Sequence, residues 1–219
     1  MTTVGEILEE SIHSLKRVNL KGAHLDARLL VAHGLNMTSQ EVFGYPEKEV
    51  NNTDLECVRE LIFRRSQYEP VALIIGVKEF WSLPFKVNTA TLIPRPDSET
   101  LIEAVLVNYP DKKWPARILD LGTGSGCLIL ALLHEYKNAK GIGIDLCEDA
   151  LKVAKYNGEN LDVGTRVDFI HMDWNNGIPS LDEFDIVVSN PPNLAEKDRD
   201  KIPFDVIGFE TSTALFAGE

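Results

Sequence analysis

What the chain lacks narrows its chemistry first. Its cysteines are few: Cys57, Cys127 and Cys147, widely spaced and without a C-x-x-C pair. That argues against a zinc framework or a disulfide scaffold and for a reducing compartment, with the cytoplasm as the expected location. The histidines are scattered, with no two at ligand spacing, so no metal site is expected. No apolar run approaches the roughly 18 residues of a membrane-spanning helix, and no membrane association is expected. The opening residues Met1-Thr2-Thr3-Val4-Gly5-Glu6 hold neither a basic nor an apolar stretch, and no secretory signal is read there. Positive charge is scarce as well. Lys and Arg number 22 against 34 Asp and Glu, a net charge of -12. Nucleic-acid binders usually present a basic face, so direct nucleic-acid binding is not the expected role. No internal repeat or low-complexity tract is present, and nothing fixes an oligomeric state.

What is there divides into three stretches: a helical N-terminal region over 1–67, a β-rich linker or hairpin over 68–97, and an α/β domain over 98–219. In the first, Val4, Ile7, Leu8, Ile12, Leu15 and Val18 recur at helical spacing, and Ala27 to Leu35 suggest a second helix. Thr38 with Glu41, and Thr53 with Glu56, fit capping boxes opening two more. A small helical bundle is expected, either a packing module or a substrate-docking one. In the second stretch, 72–76 and 80–87 read as β-rich segments. The Pro-bounded turn Leu92-Ile93-Pro94-Arg95-Pro96-Asp97 then leads into a helix expected over 98–107. Beyond Arg117, strands expected over 117–121, 140–145, 166–171 and 184–189 alternate with helices over about 126–137 and 147–160. That alternation implies a parallel sheet covered by helices.

Three strand ends carry the chemistry. Gly122-Thr123-Gly124-Ser125-Gly126 follows an apolar strand and precedes an apolar helix, and glycines there let a backbone approach a ligand closely. The spacing is not the G-x-G-x-x-G of dinucleotide sites, and no Gly-Lys-Ser/Thr phosphate loop occurs. Asp145 ends the next strand, where a carboxylate can accept ribose hydroxyls; the alternative is an N-cap of the following helix. Asp173 and Trp174 follow the third, able to take an adenine amino group and stack on its ring, or simply to cover the sheet. Asn190-Pro191-Pro192 ends the fourth. An Asn and a proline carbonyl can both accept from one NH2 group, with the prolines holding them in place. A methyl transfer to a planar nitrogen is the chemistry these residues suit.

At these residues the chain resembles the release factor glutamine N5-methyltransferases. Glu69-Pro70-Val71-Ala72, Lys78-Glu79-Phe80-Trp81-Ser82-Leu83-Pro84-Phe85, Leu92-Ile93-Pro94-Arg95-Pro96-Asp97-Ser98-Glu99 and Leu119-Asp120-Leu121-Gly122-Thr123-Gly124-Ser125-Gly126 look like that family's signatures, in order. The resemblance implies an α/β fold, a Rossmann-like class I methyltransferase sheet preceded by a small all-α bundle. It implies S-adenosylmethionine as cofactor, held by Gly122, Thr123, Gly124, Ser125, Gly126, Asp145, Asp173, Trp174 and Asn190. It implies that Asn190, Pro191, Pro192 and Asn193 contact the target, Asn190 and Pro191 catalytically. The implied partner is a peptide chain release factor, methylated on the glutamine of its Gly-Gly-Gln motif, with the N-terminal domain helping to dock it.

The sequence departs from the family in three places. Asn193 stands where the family usually has Tyr, and Thr211 where a proline follows Glu210. The sequence also stops at Glu219, where the family continues, so a C-terminally truncated sheet is expected. Two alternatives stay open: methylation of adenine N6 or another exocyclic amine in nucleic acid, and a catalytically impaired binder of S-adenosylmethionine or release factor.

Overall fold

The computed structural model describes residues 2–174 and 183–192, with 195, 197, 208–210 and 215 beyond them. The chain forms two compact units, one built mainly of residues 1–75 and the other mainly of 76–202.

In the first unit, α1 (Val4–Arg17), α2 (Ala23–Gly34), α3 (Ser39–Gly44), α4 (Asn52–Ser66) and α5 (Val71–Ile75) surround a core that includes Ile7, Leu15, Leu30, Val31 and Val58. Thr3 with Glu6 and Thr38 with Glu41 close reciprocal capping boxes on α1 and α3. The cap of α4 is not Thr53, which lies inside the helix. Asn51 holds that position, its side-chain oxygen accepting from the Asp54 N–H at 2.9 Å. A second correction concerns 72–76, expected as a β-segment but helical over 71–75. The Pro70 carbonyl accepts from the Leu73 and Ile74 N–H groups, and Gly76 leaves the helix at φ +78°.

Arg65 fastens the end of α4. Its Nε donates to Asp26 Oδ2 of α2 at 2.8 Å, and Nη1 donates to the carbonyls of Tyr68 and Glu69. Both charged side chains are largely buried, so truncating one strands the other in a poorly solvated place. Arg65→Ala is expected to destabilise the helical unit by about 3 kcal/mol, read as a lower urea midpoint in far-ultraviolet circular dichroism.

The second unit opens with β1 (Val77–Phe80) and β2 (Leu83–Lys86), an antiparallel hairpin pairing Phe80 with Leu83. Its two turn residues, Trp81 and Ser82, both adopt left-handed backbone (φ +53° and +56°), which side chains other than glycine adopt at a cost. Anchoring offsets the cost: the Trp81 N–H donates to Glu99 and its indole Nε1 to Glu135, each at 2.8 Å. A 3-10 turn at Pro96–Ser98 leads into α6 (Glu99–Asn108).

Then come β3 (Arg117–Leu121), α7 (Cys127–Glu135), β4 (Lys140–Asp145), α8 (Glu148–Asn160), β5 (Val167–His171) and β6 (Ile186–Ser189). The strands form a parallel sheet of order β5-β4-β3-β6 among the described residues. The crossover from β3 to β4 uses the apolar helix α7, whose Leu128 to Leu133 are buried in one core with Phe80, Phe85 and Ile118. That from β4 to β5 uses the amphipathic α8, which buries Ala150, Leu151, Val153 and Ala154. From β3 the chain winds outward through β4 to β5, then returns to the other side of β3 as β6. The strand order therefore reverses at β3. In open α/β sheets ligands bind at the carboxyl ends of the strands beside such a reversal. Here those ends carry Gly122 after β3 and Asn190 after β6.

Candidate active site at the strand ends

The turn after β3 is built on positive φ. Gly122, Gly124 and Gly126 sit at +75°, +55° and +80°, where a Cβ clashes with the backbone. Gly122 and Thr123 both donate their N–H groups to the Ile144 carbonyl of β4, at 2.8 and 2.9 Å. This double bond to the neighbouring strand pins the turn to the sheet. Among the described residues, and leaving aside its two chain neighbours, a Cβ on Gly124 would meet no atom within 4 Å, so the backbone there has room to take a ligand.

Asp145, at the end of β4, is wired to this turn. One carboxylate oxygen accepts from the Gly124 N–H at 2.7 Å and the other from the Cys147 N–H at 2.8 Å. It does not cap α8, whose cap position is Cys147. Each carboxylate oxygen retains a lone pair for a further donor. Trp174 closes the other side. Its ring carbon lies 3.3 Å from where a Gly122 Cβ would stand, so the indole rests on a glycine that a side chain would displace. Asp173, half-buried, precedes it.

Beneath the turn lies Asp120, 1% exposed. The Thr123 hydroxyl donates to its Oδ2 at 2.7 Å, while Oδ1 has no partner; neither does the buried Ser125 hydroxyl. Burial pushes the Asp120 carboxyl up to about 7, with the Asp145 charge adding to the shift and the Thr123 bond opposing it. The Cys127 thiol is pushed up to about 12, first by burial and then by Asp120, so thiolate chemistry is not available to it. An open glycine turn with unpartnered acceptors under it, a carboxylate on the adjoining strand and an indole face together suit a ligand with hydroxyls, an ammonium group and a flat ring.

The fourth tip is Asn190, with Pro191 exposed and Pro192 half-buried; Asn193 lies outside the described residues. The Ser189 hydroxyl donates to the Leu121 carbonyl at 2.8 Å, tying the end of β6 to the end of β3. Asn190 itself donates Nδ2 to the Ser98 hydroxyl at 3.0 Å. Thus Gly122–Gly126, Asp145 and Trp174 come together around one turn, and Asn190 ends the strand next to it.

Reading from sequence missed four supports of this cluster. Asp120 breaks an otherwise apolar strand, a signal that could have marked it. Asn157 of α8, 1% exposed, exchanges two hydrogen bonds with the Lys86 backbone and donates to the Ser125 carbonyl, so one amide joins hairpin, helix and glycine turn. Glu210 accepts from Arg95 at 2.6 Å and from the Ile93 N–H at 3.2 Å. Ser98 is the fourth, and nothing local identifies it.

Comparison with known proteins bears on this geometry. Residues 6–76 match the PrmC N-terminal domain and residues 113–209 a methyltransferase domain. The release factor glutamine methyltransferase of Shewanella oneidensis is 42% identical over 199 residues, covering 91% of this chain and 68% of the relative. That of Caulobacter vibrioides is 38% identical, covering 93% and 70%. The chain belongs to the release factor glutamine methyltransferase family. It is also 35% identical to a bifunctional methyltransferase of Rickettsia bellii, of which it spans 43%. The chain therefore spans less than half of that relative and about two thirds of the first two. The methyl donor of the family's methyltransferase domain is S-adenosylmethionine, and the residues at the strand ends fit it: a turn open at Gly124, orphaned buried acceptors at Asp120 and Ser125, and an indole over Gly122. Among the described residues no helix is long and apolar enough to cross a membrane.

Proposed function

We propose that the chain methylates the side-chain amide nitrogen of the glutamine in the Gly-Gly-Gln motif of peptide chain release factors, using S-adenosylmethionine, in the cytoplasm where those factors work. The observation that carries the reading is the adjacency of two tips across β3 and β6: an open glycine turn beside an Asn followed by two prolines.

In this reading Gly122 to Gly126 give the donor a backbone surface, Asp145 accepts its ribose hydroxyls, and Asp173 and Trp174 take its adenine. When bound, S-adenosylmethionine supplies a methyl group activated by its sulfonium. The chain's part is to present a nucleophile. Asn190 Oδ1 and the Pro191 carbonyl accept the two N–H bonds of the target amide, fixing its plane. Pro192 completes the described part of the tip, and Asn193, next in sequence, is read as a further target contact. An amide nitrogen is a weak nucleophile, so fixed orientation and preorganised acceptors must supply most of the acceleration.

Labelled methyl transfer to a purified release factor tests the reading, with duplex DNA and structured RNA as parallel acceptors. Label on the release factor that disappears when its Gly-Gly-Gln glutamine is replaced is the expected result. Label on nucleic acid would favour an exocyclic-amine substrate instead. Donor binding without transfer to any acceptor would mark a binder that does not turn over. The donor site has its own test. Trp174→Ala is expected to weaken S-adenosylhomocysteine binding about tenfold, as loss of a stacking face should, measured by titration calorimetry.

A further inference from the structure

Asn190 has two nearly isosteric side-chain orientations, and only one of them serves the proposed function. With Oδ1 toward the target, the amide accepts from the target NH2. Flipped, it would set one NH2 against another, and neither could be satisfied. The productive one also needs its far end held in place. We propose that Ser98 is a positioning residue that anchors Asn190 by Nδ2 and leaves Oδ1 for the target amide; the inference rests on the function proposed above.

The hydroxyl of Ser98 accepts from Asn190 Nδ2 at 3.0 Å, across 92 residues of sequence. Ser98 occupies the N-cap position of α6, where a serine ordinarily gives its oxygen to an N–H of the first helical turn. Here it makes no such bond. The oxygen is given to Asn190 instead, so its role as a cap does not explain its presence.

The support under Ser98 is stiff. The residue is 8% exposed, and its own N–H donates to the Arg95 carbonyl at 3.0 Å within the turn that Pro96 opens. Arg95 is in turn paired with the buried carboxylate of Glu210, which also takes the Ile93 N–H. A serine held this firmly fixes where the Asn190 amide sits, with Nδ2 against its oxygen.

The test compares Ser98→Ala with Ser98→Thr, which keeps the hydroxyl. Ser98→Ala should lower kcat for release-factor methylation about tenfold, the worth of one lost hydrogen bond in the transition state. The KM for donor, the affinity for S-adenosylhomocysteine and the melting temperature should stay near wild type, and Ser98→Thr should recover most of kcat. A purely structural role would instead lower the melting temperature and spare kcat. An independent readout needs no turnover: the side-chain amide protons of Asn190, followed by NMR. Their exchange with solvent should quicken several-fold in Ser98→Ala and not in Ser98→Thr. An inactive wild type would defeat the proposed function, yet the exchange measurement would still decide the Ser98 contact. Unchanged exchange in Ser98→Ala, or unchanged kcat beside an active wild type, overturns the inference.

Discussion

Asn190→Ala is expected to lower kcat for methyl transfer by a factor of about 100 to 1000, the cost of removing one preorganised hydrogen-bond group from a site that works by orientation. The side chain ends β6 next to the glycine turn of β3, and Ser98 fixes its NH2 end. Truncation leaves the target amide with the Pro191 carbonyl as its remaining acceptor at the tip. One acceptor can hold an N–H bond but not define the plane of the amide. Donor affinity should change only a few-fold, since the glycine turn, Asp145 and Trp174 remain in place. The check is steady-state kinetics with a purified release factor beside calorimetry with S-adenosylhomocysteine. A rate within a few-fold of wild type would remove Asn190 from the mechanism.

Asp120→Asn is expected to stabilise the methyltransferase unit at pH 8 and to flatten its dependence on pH. Burial raises the Asp120 carboxyl from 3.8 to about 7 in the folded protein. Between those values the folded state keeps a proton that the unfolded chain has released. Raising the pH through that window therefore favours unfolding, and the loss is complete above about 7. From pH 5 to pH 8 the wild type should lose on the order of 3 kcal/mol relative to Asp120→Asn. Asparagine can still accept from the Thr123 hydroxyl, and other titrating groups cancel in the difference between the two proteins. All three tryptophans, Trp81, Trp114 and Trp174, belong to the second unit, so fluorescence in urea titrations follows that unit alone. Parallel pH profiles for the two proteins would show that Asp120 is ionised at no cost.

Much of the sheet was legible because its strands are short apolar runs with sharp ends. Ile118-Leu119 runs into Gly122, and Ile186-Val187-Val188 runs into Asn190-Pro191, so polar punctuation marked each carboxyl end. Those ends are where the candidate site residues lie, which is why Asp145 and Trp174 could be placed beside the glycine turn. Less legible was what depends on competition between local and distant contacts. Val71 to Ile75 looks like a strand by its branched side chains, yet Pro70 and Gly76 bound a single helical turn. Trp81-Ser82 carries no glycine or asparagine to announce a left-handed turn; two glutamates from distant helices hold it there. Asn51 and Thr53 both stand three residues before an acid, so spacing alone cannot choose the cap of α4. Ser98 reads locally as a helix cap, and only the return of β6 alongside β3 brings Asn190 to it. Strand order decides that pairing, and strand order is not written in any one segment.

The most direct measurement is tandem mass spectrometry of a release factor incubated with the protein and S-adenosylmethionine, mapped residue by residue. One added methyl group is expected, on the side-chain amide of the Gly-Gly-Gln glutamine, forming about 100- to 1000-fold more slowly when Asn190→Ala replaces the wild type. A methyl group on any other residue, or on that glutamine at an equal initial rate with Asn190→Ala, would contradict it.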